Sequence, residues 1–224
     1  MLAGLLAVTT AHTARGTDLR SSGRTNVTDL IRSAEGKVAD GDKQVKQLQR
    51  EVAEATDQLS GVDAGITAIK AKSKPLLAPG GLVAMTGPGL SVTLNDAPKQ
   101  DDSDVDGNAL VVHQSDMQAV VNALWIGGAD AIKIMDQRIV FTSAVRCVGN
   151  TLLLNGRVYS PPFSIVAIGP ADGMRSALDR SPRVTLYRKD ARSYGLGYDV
   201  KTQSQVDVPA YDAPIGLRYA EVGQ

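Results

Sequence analysis

From Val27 to Ile69, apolar or small residues recur at alternating spacings of four and three. With Ile31 as an a position, the a layer is Ile31, Val38, Val45, Val52, Leu59 and Ile66. The d layer is Val27, Ala34, Gly41, Leu48, Ala55, Val62 and Ile69. A 3.5-residue period held this long commits the segment to a helix with one apolar seam, and β-branched residues at a favour two parallel strands. The d layer is poor, with Ala, Gly and Ala where Leu packs best, so the coil is weak alone. Lys37 (g) and Asp42 (the next e) are placed to pair between helices, a small contribution for an exposed pair. At 1.5 Å per residue the seam spans roughly 64 Å. Pro75 and the LAPGG run at 77–81 predict its end, giving a stalk over residues 23–76. The competing reading is an amphipathic helix packed on its own globular domain.

Ahead of the seam, residues 1–11 (MLAGLLAVTTA) are apolar or small and uncharged. About 20 such residues are needed to span a bilayer, and no basic stretch precedes these as in a signal peptide. The run reads as the second half of a transmembrane helix, with Arg15, Arg20 and Arg24 following it near the interface. A short buried helix or a frayed tail is the alternative. Residues 1–22 are thus expected to be the remnant of an anchor and its juxtamembrane segment.

Beyond the stalk, residues 80–224 carry strand and helix patterns in alternation. LVAMT (82–86) and LSVTLND (90–96) flank Gly87-Pro88-Gly89 and predict two strands, or one bent strand, around a tight turn. A helix follows over 115–129, with Ser115 and Gln118 as a capping box and Gly127-Gly128 as its stop. Its apolar face is Met117, Val120, Val121, Leu124 and Trp125, all expected in the core. Strands are predicted at 131–135, 138–145 and 163–169, and a hairpin turns at Asn155-Gly156. A short helix is expected near 171–179, with peripheral strands from 184 onward. Strand, helix, strand, strand, helix, strand gives an α+β class of ferredoxin-like type, the alpha-beta plait.

Composition narrows the chemistry. Lys+Arg and Asp+Glu are both 24, so nothing marks bulk electrostatic binding to nucleic acid. Aromatics at 4% leave little for base stacking, and no nucleic-acid partner is expected. Cys147 is the single cysteine and His12 and His113 the only histidines, which excludes a disulfide framework and a Cys- or His-rich metal centre.

The sharpest local motif is Asp102, Asp104 and Asp106 followed by Gly107, the first half of a calcium loop. His113 stands where that loop needs a bidentate Glu, and Pro98 disfavours an entering helix, so a solvated acidic loop fits better. His113, Ser115 and Asp116 cluster at a helix start, too close in sequence to face one another as a triad; capping accounts for Ser115 and Asp116. No phosphate-binding glycine motif and no GxSxG occur. Cys147 alternates with Arg146 in an apolar strand and reads as a small core residue. Asp136, Gln137 and Arg138 read as a polar turn between strands. No cofactor and no catalytic residue are expected, while Ser115, Gln118, Gly127, Gly128, Asn155 and Gly156 take structural roles.

The stretch VVHQSDMQAVVNALW, GADAI, DQRI, RCVGNTLLLNG and SPPFSIVAIG, with GLVAMTGPGLSVTLNDAP (81–98) before it, resembles the YlxW/YlxX-like bacterial proteins, domain of unknown function 881. The resemblance covers most of residues 80–190. It implies a single membrane-spanning helix, a coiled coil and a ferredoxin-like domain in the bacterial envelope, on the extracytoplasmic side of the plasma membrane. Some such proteins are encoded near cell-division genes, and no activity is established from which catalytic residues could be carried over. The expected function is a non-enzymatic interaction or scaffold module, self-associating through Val27 to Ile69, linked to division or wall processes and meeting a protein partner. The alternative is a small-molecule or ion-sensing domain.

Overall fold

A computed structural model describes the backbone of residues 19–60, 63–98 and 106–213. The chain divides into two units, residues 1–45 and 46–224. The seam forms helix α1, Leu19–Ser60, with no break at Gly36 or Gly41. It does not continue to Pro75. Asp63 caps a new helix, α2 (Ala64–Leu77), accepting hydrogen bonds from the amides of Gly65 at 2.7 Å and Ile66 at 3.3 Å. Lys70 pairs with Asp57, thirteen residues away. One continuous helix would set those residues about 20 Å apart, so the axis turns back between α1 and α2. The single stalk expected over 23–76 is therefore two helices. A capping Asp flanked by Gly61 and Gly65, weak helix formers, overrides the heptad period. Pro75 lies inside α2 rather than ending it.

The main sheet has five strands in the order β3-β2-β7-β1-β8, every neighbouring pair antiparallel. The strands are β1 Met85–Asn95, β2 Ala131–Ile134, β3 Gln137–Ile139, β7 Phe163–Ile168 and β8 Gly197–Val208. Helix α3, Gln114–Ile126, connects β1 to β2; α4, Ala171–Arg180, and α5, Pro182–Tyr194, connect β7 to β8. A short 3-10 turn, Gly107–Leu110, precedes α3. Between β3 and β7 a second sheet, β4 Val145–Val148, β5 Thr151–Leu154 and β6 Arg157–Tyr159, turns at Asn155-Gly156, both at positive φ as a two-residue hairpin needs.

Gly87-Pro88-Gly89 is a bulge inside β1 rather than a turn between strands: the pairing with β8 shifts register between Gly87 and Gly89. A side chain at Gly89 would put its Cβ 1.9 Å from the Ala167 carbonyl oxygen on β7. Leu90, Val92 and Leu94 alternate onto the face that carries the helices, with Ile132 and Ile134 of β2 and Phe163, Ile165 and Ala167 of β7. Met117 and Leu124 of α3, Met174 and Leu178 of α4, and Leu152 and Leu154 of the second sheet complete that core. The opposite face has a smaller cluster, Ala131, Ile168, Val206 and Val208.

Several expectations are corrected here. Residues 184–194 are helical: Ser181 caps α5, Pro182 is its first residue, and Gly195, at φ 84°, ends it. The strand expected over 138–145 stops at Ile139, because the Ser143 hydroxyl accepts from the Val140 amide at 3.0 Å and replaces the ladder. Trp125 is 39% exposed, since the buried row of α3 runs Met117, Val120, Val121, Leu124 and the next residue turns away by 100°. Gln137 and Arg138 are buried rather than part of a surface turn.

Candidate functional site

Helix α3 starts one residue earlier than its sequence suggests. His113 is the N-cap residue, and the Asp116 carboxylate accepts from the His113 amide at 3.0 Å. Ser115 is therefore not the cap, and its hydroxyl accepts instead from Arg183 of α5 at 2.7 Å. Arg183 also lies 3.4 Å from buried Asp116, so one carboxylate anchors the helix start and a neighbouring helix together. The His113 Nδ1 is 3.6 Å from Asp116 and no proton path to Ser115 is formed. At the other end, Gly127 and Gly128 stop α3. A Cβ on Gly127 would stand 2.4 Å from the Met174 Cα, so the glycine lets α4 approach.

These contacts frame a groove of about 610 Å³ between α3 and the α4–α5 corner. Gln118, Asn122 and Ile126 line it from α3, and Arg180 and Arg183 from the facing side. Arg180 is held by Ser176 one turn back. The groove offers guanidinium, amide and hydroxyl groups over an apolar floor, a set suited to holding a ligand or a peptide. It contains no nucleophile next to a base. Gln118, expected in a capping box with Ser115, faces this groove.

Other sequence-marked residues are dispersed. Asp102 and Asp104 lie outside the described residues, and Asp106 caps the 3-10 turn, accepting from the Asn108 amide at 3.0 Å. Among the described residues no group of three His, Cys, Asp or Glu is placed to hold a metal. Burial pushes the Cys147 thiol up, which disfavours the thiolate form. Asp136 is pushed up by burial, yet hydrogen bonds from Tyr159 and Gln137 outweigh this and leave it below its usual value. With Arg157 at 2.8 Å it fastens the second sheet to the β2–β3 turn.

The description "Bacterial protein of unknown function (DUF881)" belongs to the family profile that matches residues 74–221. The chain belongs to this family. It is similar to the UPF0749 protein Rv1823 of Mycobacterium tuberculosis H37Rv, 35% identical over 145 residues, 65% of this chain and 46% of that protein. It is also similar to the UPF0749 protein YlxW of Bacillus subtilis 168, 34% identical over 99 residues, 44% of this chain and 42% of that one. The chain thus spans about half the length of the curated relatives it matches. A crystal structure of an uncharacterized conserved protein from Mycobacterium tuberculosis superposes with a TM-score of 0.52 at 28% identity, covering 68% of this chain and 99% of that one. The family profile begins inside α2 and takes in every strand of both sheets. Among the described residues no helix is long and apolar enough to cross a membrane, and the apolar run 1–11 lies outside them.

Proposed function

We propose that this member of the DUF881 family is a non-enzymatic interaction module whose copies associate in parallel through α1 and whose α+β domain receives a protein partner. The observation that carries the reading is the uncovered seam of α1. Val38 is 42% exposed, Leu48 53%, Val52 64% and Leu59 54%, all at a or d. Scattered apolar residues on a surface need no explanation, but a row in heptad register does. A second copy of α1 is the occupant that matches this register, and the β-branched a layer favours two strands.

Within this reading the sheet is of ferredoxin-like type. Its support is the order β8-β1-β7-β2, with α3 and α4 packed together on one face, and with β3 to β6 as an insertion. Attachment to the bacterial plasma membrane through residues 1–22, with the domain on the extracytoplasmic side and a role in division or wall processes, belongs to the same proposal. It is supported by the uncharged run 1–11 and the family resemblance. The groove beside α3 favours a second reading, a small-molecule-binding domain.

Sedimentation velocity on the full chain tests the first reading. The wild-type chain is expected to sediment as a dimer at micromolar concentration. The double variant Leu48→Glu, Val52→Glu is expected to be monomeric with the α+β domain still folded, because both side chains are exposed and neither belongs to that domain's core. A wild-type chain that stays monomeric into the millimolar range overturns it.

A further inference from the structure

Helix α2 buries none of its residues. At about 100° of rotation per residue, Leu76, Ile69, Ser73, Ile66 and Leu77 fall within one arc about 100° wide. Ile69 and Leu76, two turns apart on that arc, are each 67% exposed, and Ile66 and Leu77 are half-buried. Ile66 and Ile69 continue the heptad spacing of α1, but the turn at Asp63 takes them off its line. Lys72 borders the arc on one side, and Lys70 and Lys74 border it on the other. Helix α2 contains no acidic residue. Lys70 is tied to Asp57, whereas among the described residues Lys72 and Lys74 pair with no carboxylate.

The helix leads into a second uncovered apolar area. The Gly80 and Leu82 amides close its end on the Leu76 and Leu77 carbonyls at 3.0 and 2.8 Å. Pro79, Gly80 and Gly81 then stand in the wall of a cavity of about 300 Å³. Trp125 and Phe141 belong to the same wall and are 39% and 80% exposed. The charged residues lining it are Asp130 and Arg138, one of each sign, so the net charge of the combined surface is that of the α2 lysines.

An apolar face bordered on both sides by lysines, with tryptophan and phenylalanine beside it, suits the interface of an anionic bilayer. The apolar side chains enter the acyl boundary, and the lysine stems bend outward to the head groups. Two copies of α2 laid face to face would instead bring lysine against lysine along the borders. We propose that α2, with Trp125 and Phe141, docks the domain on a membrane surface rich in anionic lipid. Such a helix lies in the interface and does not span it. The docking does not rest on the attachment proposed through residues 1–22.

Trp125 is the single tryptophan of the chain, so its fluorescence reports this surface and no other. The full chain is titrated with vesicles of phosphatidylcholine, alone or with about 30% phosphatidylglycerol, each with and without brominated acyl chains. On the anionic vesicles the expected result is a blue shift of the emission and its quenching by the brominated chains. Lys72→Gln with Lys74→Gln is expected to weaken this docking at least about fivefold, and Ile69→Glu with Leu76→Glu to abolish the quenching. All four side chains are exposed and outside the domain core, so the variants keep the fold. Unquenched emission of the wild-type chain on anionic vesicles overturns the proposal, and the basic face then matches an acidic protein surface instead. Quenching that is equal in the lysine variant, or equal on neutral vesicles, overturns it as well, because residues 1–11 could hold the chain on a bilayer without α2. A chain that sediments with vesicles while Trp125 stays unquenched marks failure of this docking with the N-terminal attachment intact.

Discussion

Tyr187 shows how one side chain couples the helical layer to the sheet. It is buried on α5, and its hydroxyl donates to the Gly197 carbonyl at the start of β8 at 2.9 Å. Burial, and then the nearby charges of Asp116 and Asp96, push its pKa above the ordinary 10.0. A raised phenol pKa means that the unfolded chain releases the proton first, so stability present below pH 10 is lost as pH rises above it. Tyr187→Phe is expected to cost about 1 kcal/mol at neutral pH and to flatten that alkaline loss, as measured by urea melts from pH 8 to 11. Identical pH curves for the two proteins would refute the assignment. The residue scale is also where the sequence was least informative. Gln137 and Arg138 look like part of a polar turn because the acceptors that let Arg138 be buried lie 55 and 71 residues away. No local pattern reveals such partners. The Ser115 capping reading failed for a nearer reason: Asp116, as the third helical residue, satisfies the His113 amide and frees Ser115 for Arg183.

Among the elements, β1 is the one on which the fold turns, since it pairs with both β7 and β8. Its bulge depends on Gly89, where any Cβ meets the Ala167 carbonyl oxygen. Gly89→Ala is expected to destabilise the domain by about 3 kcal/mol or more, whereas Gly107→Ala, with open space around it, is expected to stay within about 1 kcal/mol. Denaturant midpoints of the two variants check this, and equal midpoints would count against the bulge being required. Elements whose periodicity is local were readable in advance: α3, the β5–β6 hairpin at Asn155-Gly156, and the β7 strand. Helix α5 was missed although its signals were present, because a Ser-Pro start and a Gly end are short, and Val184 and Tyr187 are the only residues it buries. For α1 the heptad pattern gave the helix correctly. It extended the helix too far, because periodicity carries no penalty for a capping aspartate.

At the scale of the molecule, the seam of α1 and the core of the α+β domain draw on different sources of stability. The domain buries its apolar residues against itself, whereas the seam is proposed to bury them only against another copy. Thermal unfolding of the full chain by circular dichroism is therefore expected to show two transitions. The lower should rise with protein concentration and the upper stay fixed, because only the first is linked to association. A single transition independent of concentration would contradict the proposed arrangement. Strand β8 has a bearing on this. It forms an edge of the main sheet over twelve residues, Gly197–Val208, with one side unpaired by any other strand among the described residues. Copies joined by their helices would hold such edges at an effective concentration of about millimolar, where bare backbone recruits more backbone. Along β8 the exposed positions are polar or charged, Asp199, Lys201, Thr202, Gln205 and Asp207 among them, and Lys201 and Asp199 form an ion pair at 2.9 Å. Under the proposed association, the charge along this strand would turn gathered copies away from edge-to-edge pairing and so from growth into a fibre.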